Sequence, residues 1–376
     1  MKGLIFSITA GQGHNQTAKV LCDNFKLTED NDGNKIECKY MDVYEYINPM
    51  LSEAINNIYL MSTKAIPKIY GGAYRIAEMR SGQSDIGVKG LQRLTNSALA
   101  RKLIDLLKDE DPDFIVCTHI FAALLVTYIK SKHDLRAKTI GIVTDFTIHP
   151  YWEDSDLDYY AIASEILIIQ GMKKGFPESK FLPIGIPISP KFEKKMNKQE
   201  ARERLGIEDK PTILVMSGSM GYGNIEKEIV QLDNLDLDFQ IAVICGNNKK
   251  MKDKIDRLKL SKRLYSFGYV DNVDVFMDAC DCMITKPGGL TTSEALAKRI
   301  PLIINNPIPG QEDRNVEFLL NAGVAVKASK TFPLDEAVYE MLINNERRIL
   351  CKQAARFLGK PRSTRDFIEF VKQICE

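Results

Sequence analysis

The chain lacks most of the features that would mark a specialised class, and each absence removes a function. No uncharged apolar run reaches the about 18 residues of a membrane-spanning helix, so any membrane contact is expected to be peripheral. The formal net charge is only +1 and no long basic block occurs, which leaves no electrostatic footprint for nucleic acid. The eight cysteines include no C-x-x-C pair and lie mostly in apolar stretches, as suits a reducing cytoplasm. Cys280 and Cys282 flank Asp281 without two further ligands nearby, so they read as core rather than as a metal site. G-x-S-x-G and H-E-x-x-H signatures are missing, as are low-complexity tracts and internal repeats of roughly 20 to 50 residues. Met1 leads almost at once into the apolar run from Leu4 to Ile8 without a small-residue cleavage boundary, so no secretory signal is expected.

What remains is a chain of 376 residues, long enough for two domains with separate cores. Strand-like and helix-like runs alternate throughout, which predicts α/β architecture with parallel sheets. Strands are expected near 4–9, 36–40, 114–117, 139–143 and 159–163, then near 212–216, 240–245, 264–267, 281–285 and 302–305. Pro183, Pro187 and Pro190 interrupt the pattern between the two sets and mark a domain boundary. Each half opens with a strand, a glycine-rich turn and a helix, so the simplest architecture is two Rossmann-like domains facing across a cleft.

The segment from Lys286 to Asn315 carries the densest chemistry. Gly288 and Gly289 allow close backbone approach to a phosphate, and Thr291, Thr292 and Ser293 are expected to cap a helix whose N-terminus favours an anion. Glu294, expected in the first turn, can accept two hydrogen bonds from a ribose diol, and Gln311 with Glu312 suits the hydroxyls of a hexose. A second glycine turn at Gly218, Ser219, Gly221 and Gly223 can cradle a diphosphate through backbone N–H groups, without a metal. Together these predict a nucleotide-sugar pocket, with a well-capped helix between two strands as the bland alternative.

The first turn, Gly11-Gln12-Gly13-His14-Asn15-Gln16, approaches a dinucleotide fingerprint but has Gln16 where the third glycine belongs. A nicotinamide or flavin enzyme, with Asp42 on the ribose, therefore stays as an alternative. His14 at a helix start is a candidate general base, because a helix N-terminus disfavours its protonation. His119 and His149 follow other strand ends and compete with it, whereas His133 lies in a polar loop. Asp154, Asp156 and Asp158, like Asp236 and Asp238, read as surface turns rather than a metal site. Between Lys64 and Lys102 eight basic residues stand against two acidic ones. With Met50, Tyr59, Tyr70 and Tyr74 nearby, that region is a candidate for an anionic membrane surface.

The Gly-x-Gly-His-Asn turn, Ile47-Asn48-Pro49, Thr144-Asp145, Gly185-Ile186-Pro187 and the Lys286 to Asn315 region together resemble the monogalactosyl- and glucosyl-diacylglycerol synthases, in the glycosyltransferase family that includes MurG. The usual glycine triplet before the histidine reads Gly11-Gln12-Gly13 here. The resemblance implies a GT-B fold with no cofactor and no metal. Residues 1–184 would bind acceptor and membrane, residues 185–359 would bind the donor, and a helix near 360–376 would pack back on the first domain. It implies an inverting transfer of a hexose, glucose ahead of galactose, from a UDP-sugar to diacylglycerol at the inner face of the cell membrane. His14 would be the base beside Gly13, with Asp145, His119 and His149 on the acceptor side. Glu294 would bind ribose, Gln311, Glu312 and Asn315 the sugar, and Gly218, Ser219, Gly221 and Gly223 the diphosphate. Other lipid or soluble acceptors, and a non-catalytic UDP-sugar sensor, remain the alternatives.

Overall fold

The computed structural model describes residues 1–9, 12–50, 98–216, 225–308 and 310–376. The described chain forms two compact units, one from Met1–Ser189 with Arg362–Glu376, the other chiefly from Pro190–Ile308 and Glu312–Pro361.

The first unit runs β1 (Lys2–Ser7), α1 (Gln12–Lys26), β2 (Glu37–Asp42), α2 (Val43–Ile47), α3 (Ala98–Glu110), β3 (Phe114–Cys117), α4 (Ile120–Lys132), β4 (Lys138–Ile142), β5 (Tyr159–Ala161), α5 (Ile166–Lys173) and β6 (Phe181–Leu182). Its sheet is parallel, in the order β2-β1-β3-β4-β5-β6. The run Phe-Ile-Val-Cys of β3 is buried throughout, as expected for a strand covered on both faces. At Gly3 a Cβ would fall 2.0 Å from the Phe114 ring, so β1 accepts no side chain at that point.

The second unit runs α6 (Lys198–Leu205), β7 (Thr212–Met216), α7 (Ile225–Asp233), β8 (Gln240–Ile244), α8 (Lys249–Ile255), β9 (Leu264–Phe267), α9 (Val273–Ala279), β10 (Cys282–Thr285), α10 (Gly289–Lys298), β11 (Leu302–Ile304), α11 (Gln311–Asn321), β12 (Ala325–Lys327), α12 (Leu334–Ile343) and α13 (Asn345–Leu358). Its sheet is also parallel, in the order β12-β11-β10-β7-β8-β9. Ile213, Val215, Ile241, Val243 and Ile303 build its core with Val338 and Met341 of α12.

The final helix, α14 (Ser363–Ile374), belongs to the first unit. Phe367, Ile368 and Val371 are buried with Leu21 and Phe25 of α1, and Thr364 Oγ1 donates to the Ile188 carbonyl at 2.6 Å. Cys280 and Cys282 are buried, and burial pushes the Cys282 thiol up to about 12. No described helix is long and apolar enough to cross a membrane.

Candidate active site

Both sheets change winding direction once, and ligands in such sheets bind at the strand C-termini where the order reverses. In the first unit the reversal lies between β1 and β3, and the starts of the helices that follow these strands carry His14 and His119. In the second it lies between β7 and β10, and the turn after β10 carries Gly288.

His14 is the third residue of α1 and half-buried. Its Nδ1 stands 2.8 Å from the Thr118 carbonyl oxygen and 2.9 Å from Thr144 Oγ1. A carbonyl only accepts, so Nδ1 carries the proton and Nε2 keeps the lone pair. Burial lowers the His14 pKa below its ordinary 6.5, while the Asp145 carboxylate and the Thr118 carbonyl work in the opposite direction. The site thus holds a neutral imidazole at neutral pH with a carboxylate placed to favour the charge it would acquire.

The start of α1 is braced from below. Asp42 accepts from the Tyr44 and Glu45 amides through Oδ1, and from Thr9 N and Thr9 Oγ1 at 2.6 and 2.5 Å through Oδ2. Asn15 donates to Thr9 Oγ1 at 2.8 Å and accepts from Ser7 Oγ at 2.6 Å. Both Asp42 oxygens are therefore committed to the backbone and to Thr9, which corrects the expectation that Asp42 stands in for a ribose-binding acid.

His119 and His149 serve as caps. His119 Nδ1 accepts from the Phe121 amide at 3.2 Å at the start of α4, and His149 Nδ1 accepts from the Tyr151 amide at 3.1 Å before a short 3-10 turn. Each therefore carries its proton on Nε2 when neutral. Burial, helped by the neighbouring His14 and His149, pushes the His119 pKa well below 6.5. Ring contacts run from His14 to His119, Phe121, Tyr151 and His149. All three candidate histidines and Asp145 are thus gathered at the C-terminal ends of the central strands β1, β3 and β4, while His133 is an exposed cap at the end of α4.

In the second unit Gly288 is the cap of α10, extended at φ −69°, ψ 139°, and a Cβ there would meet open space. The helix starts at Gly289, which corrects the capping expectation. Thr291, Thr292 and Ser293 fall inside the helix, no side chain caps it, and Ser293 Oγ donates back to the Gly289 carbonyl at 2.8 Å. Glu294 is likewise the sixth residue of the helix, not part of its first turn. Enclosure pushes its carboxyl up to about 8, with Lys191 opposing and Asp274 adding to the rise.

Glu312 and Asn315 are placed differently from the sugar-contacting role expected for them. Glu312 is buried, its Oε2 accepts from the Ile308 amide at 2.6 Å and its Oε1 from Lys286 Nζ at 3.2 Å. Asn315 is fully buried and donates to the Pro287 carbonyl at 2.9 Å. Both brace the Lys286-Pro-Gly-Gly turn. Gln311 begins α11, but its side chain lies outside the described residues, as do Gly218, Ser219, Gly221, Gly223, Gly11 and nearly all of the basic region from 64 to 102. Gly13 is the second residue of α1. Among the described residues no group of three or more His, Cys, Asp or Glu side chains is set to hold a metal ion. Two site members escape sequence reasoning: Thr118 acts through a carbonyl that has no side-chain signature, and Lys286 acts through its pairing with Glu312.

The fold is that of the GT-B glycosyltransferases. MurG of Acinetobacter baumannii matches over 99% of both chains at a TM-score of 0.61 and 12% identity, and HepE of Anabaena, solved with UDP, covers 100% of this chain and 98% of its own at 0.56 and 12%. The monogalactosyldiacylglycerol synthase family model matches residues 14–188, and that of glycosyl transferases group 1 matches 197–357. A processive diacylglycerol beta-glucosyltransferase of Bacillus pumilus is 30% identical over 98% of this chain and 94% of its own length; one of Bacillus cereus is 30% identical over 96% and 90%. The chain belongs to this family of diacylglycerol glycosyltransferases.

Proposed function

We propose that the protein transfers glucose from UDP-glucose to diacylglycerol, with inversion at the anomeric carbon, while bound peripherally to the inner face of the cell membrane. The acceptor hydroxyl attacks the anomeric carbon from the face opposite UDP, the new C–O bond forms as the bond to the diphosphate breaks, and the hydroxyl proton passes to His14 Nε2. Asp145 favours the imidazolium that results. The α10 N-terminus, open at Gly288, stabilises the departing diphosphate, and the Glu294 carboxylate holds the ribose diol. The observation that carries this reading is the Thr118 carbonyl fixing the His14 tautomer at the switch point of the first sheet.

The test supplies UDP-glucose or UDP-galactose, in parallel and without added metal, to purified protein on anionic liposomes containing diacylglycerol, and identifies the lipids by mass. A β-glucosyl-diacylglycerol that is absent with His14→Ala and Glu294→Ala supports the reading. Full activity in both variants would overturn the site assignment. UDP binding without turnover from either donor would point instead to a different acceptor or a sensor.

A further inference from the structure

The hydrogen bonds around His14 leave one donor over, and it belongs to Thr144. Nδ1 of His14 faces two oxygens, the Thr118 carbonyl at 2.8 Å and Thr144 Oγ1 at 2.9 Å. The carbonyl can only accept, so Nδ1 carries a proton whether the imidazole is neutral or charged. Thr144 Oγ1 therefore also accepts from that N–H, and its own hydroxyl hydrogen must turn elsewhere. Among the described residues no protein atom takes it. Thr144 is half-buried, so solvent or a substrate can receive the hydrogen.

The hydroxyl is also held in place. Thr144 is the second residue after β4. Val143 before it is buried, and its amide donates to the Ala161 carbonyl at 2.9 Å. Phe146 and Ile148 after it are buried, and the Ile148 amide donates to Gln170 Oε1 of α5 at 3.3 Å. A donor fixed by its backbone before the ligand arrives loses little freedom on binding.

Its position selects the oxygen it can meet. The attacking hydroxyl gives its hydrogen to His14 Nε2 and keeps a lone pair for the anomeric carbon, so it is poorly suited to a further donor. Thr144 stands on the Nδ1 side of the same ring. Oxygens hydrogen-bonded to the two nitrogens of one imidazole lie about 7 Å apart, and a hydrogen bond from Thr144 covers about 3 Å of that. The remaining span of about 4 Å is the reach from a glycerol hydroxyl to the carbonyl of the neighbouring ester. An ester carbonyl accepts and cannot donate, which matches the single donor on offer.

We propose that Thr144 Oγ1 donates a hydrogen bond to an acyl-ester carbonyl of the lipid acceptor, and so makes the enzyme prefer an ester-linked diacylglycerol to its ether-linked counterpart. This rests on the reading of His14 as the base toward diacylglycerol, and adds a residue that recognises the lipid linkage.

The experiment compares a diacylglycerol with the dialkylglycerol of equal chain length, which lacks both ester carbonyls. Each is dispersed in the same detergent micelles with UDP-glucose and given to the parent, Thr144→Ser and Thr144→Val, with thermal melting of all three. The ester-over-ether ratio of kcat/KM is expected to be about five- to tenfold in the parent, the worth of one neutral hydrogen bond. It should persist in Thr144→Ser and fall to near one in Thr144→Val, through a higher KM for the diacylglycerol. A parent without the preference, or a preference that survives in Thr144→Val, overturns the proposal. So does a Thr144→Val effect confined to the acid limb of the pH profile, which makes the hydroxyl a support of His14 alone. An effect confined to KM for UDP-glucose also overturns it, by assigning the hydroxyl to the donor. No glucolipid from the parent with either acceptor overturns the reading of the acceptor itself, and this assignment with it.

Discussion

The imidazoles of His14 and His119 meet edge to face, with ring centroids 4.6 Å apart and planes inclined by 71°. Both are pushed toward the neutral form, and a charge on His14 further disfavours one on His119. Only one of the two has its lone pair on Nε2, because His119 uses Nδ1 to cap α4 and His14 uses Nδ1 to donate. The pair therefore divides into one imidazole that can accept a proton at Nε2 and one that caps a helix, without any difference in residue type.

The acid limb of kcat/KM is expected below pH 6.5, the ordinary histidine value, with a plateau from there through neutrality. Asp145→Asn should move the limb to still lower pH, because Asp145 holds the His14 pKa up against burial. His14→Asn should lose about a hundredfold or more in kcat and abolish the limb. A pH–rate profile of the three proteins decides this.

Stability of the first unit should fall as pH drops below about 6.5. His119 has a depressed pKa in the folded chain, so below 6.5 the unfolded chain binds more protons and stability rises with pH. The slope from one such group approaches about 1.4 kcal/mol per pH unit, until the folded histidine itself protonates. Denaturant midpoints between pH 7.5 and 5.0 should show this slope in the parent and a shallower one in His119→Asn.

Binding of UDP should release a proton near neutral pH. With its carboxyl raised to about 8 without ligand, Glu294 is mostly protonated at pH 7. Holding both ribose hydroxyls requires the ionised form. Affinity should therefore rise with pH up to about 8, and Glu294→Gln should bind more weakly and lose the dependence. Calorimetry in two buffers of different ionisation enthalpy measures the released proton directly.

Asp42→Ala is expected to destabilise the first unit by about 2–4 kcal/mol, since it removes an N-cap and leaves the Thr9 hydroxyl and amide without their carboxylate. Urea unfolding followed by circular dichroism gives the value. Asp42→Asn, which keeps the cap acceptor, should recover part of the loss.

The alternation of apolar runs made ten strands readable. β6, with two residues, was too short to stand out from the proline-rich segment around it, and β12, Ala-Val-Lys, has a single β-branched residue to mark it, where the equally short β11 reads Leu-Ile-Ile. The GT-B class also followed from the sequence. The hydroxyls of Thr291 to Ser293 suggested a cap, but the backbone turns helical at Gly289, because Gly288 adopts the extended cap conformation without help from a side chain. Glu312 and Asn315 were recognisable as special, yet their burial depends on where α11 meets the Lys286 turn, which spacing along the chain does not report. The histidines were found because strand ends concentrate chemistry, and the carbonyl that selects His14 among them was invisible.

The placement of α14 sets a timetable for synthesis. Phe367, Ile368 and Val371 complete a core begun by Leu21 and Phe25, so the unit translated first must wait for the residues translated last. The intervening 190–361 segment takes roughly 10 to 35 s to emerge at about 5–20 residues per second. Through that interval the α1 face stays uncovered on the ribosome, and the second unit, built from the same 190–361 segment, can close around its own core only at the end of it. Released chains truncated after residue 361 should thus hold a folded second unit and a first unit still open to chaperones.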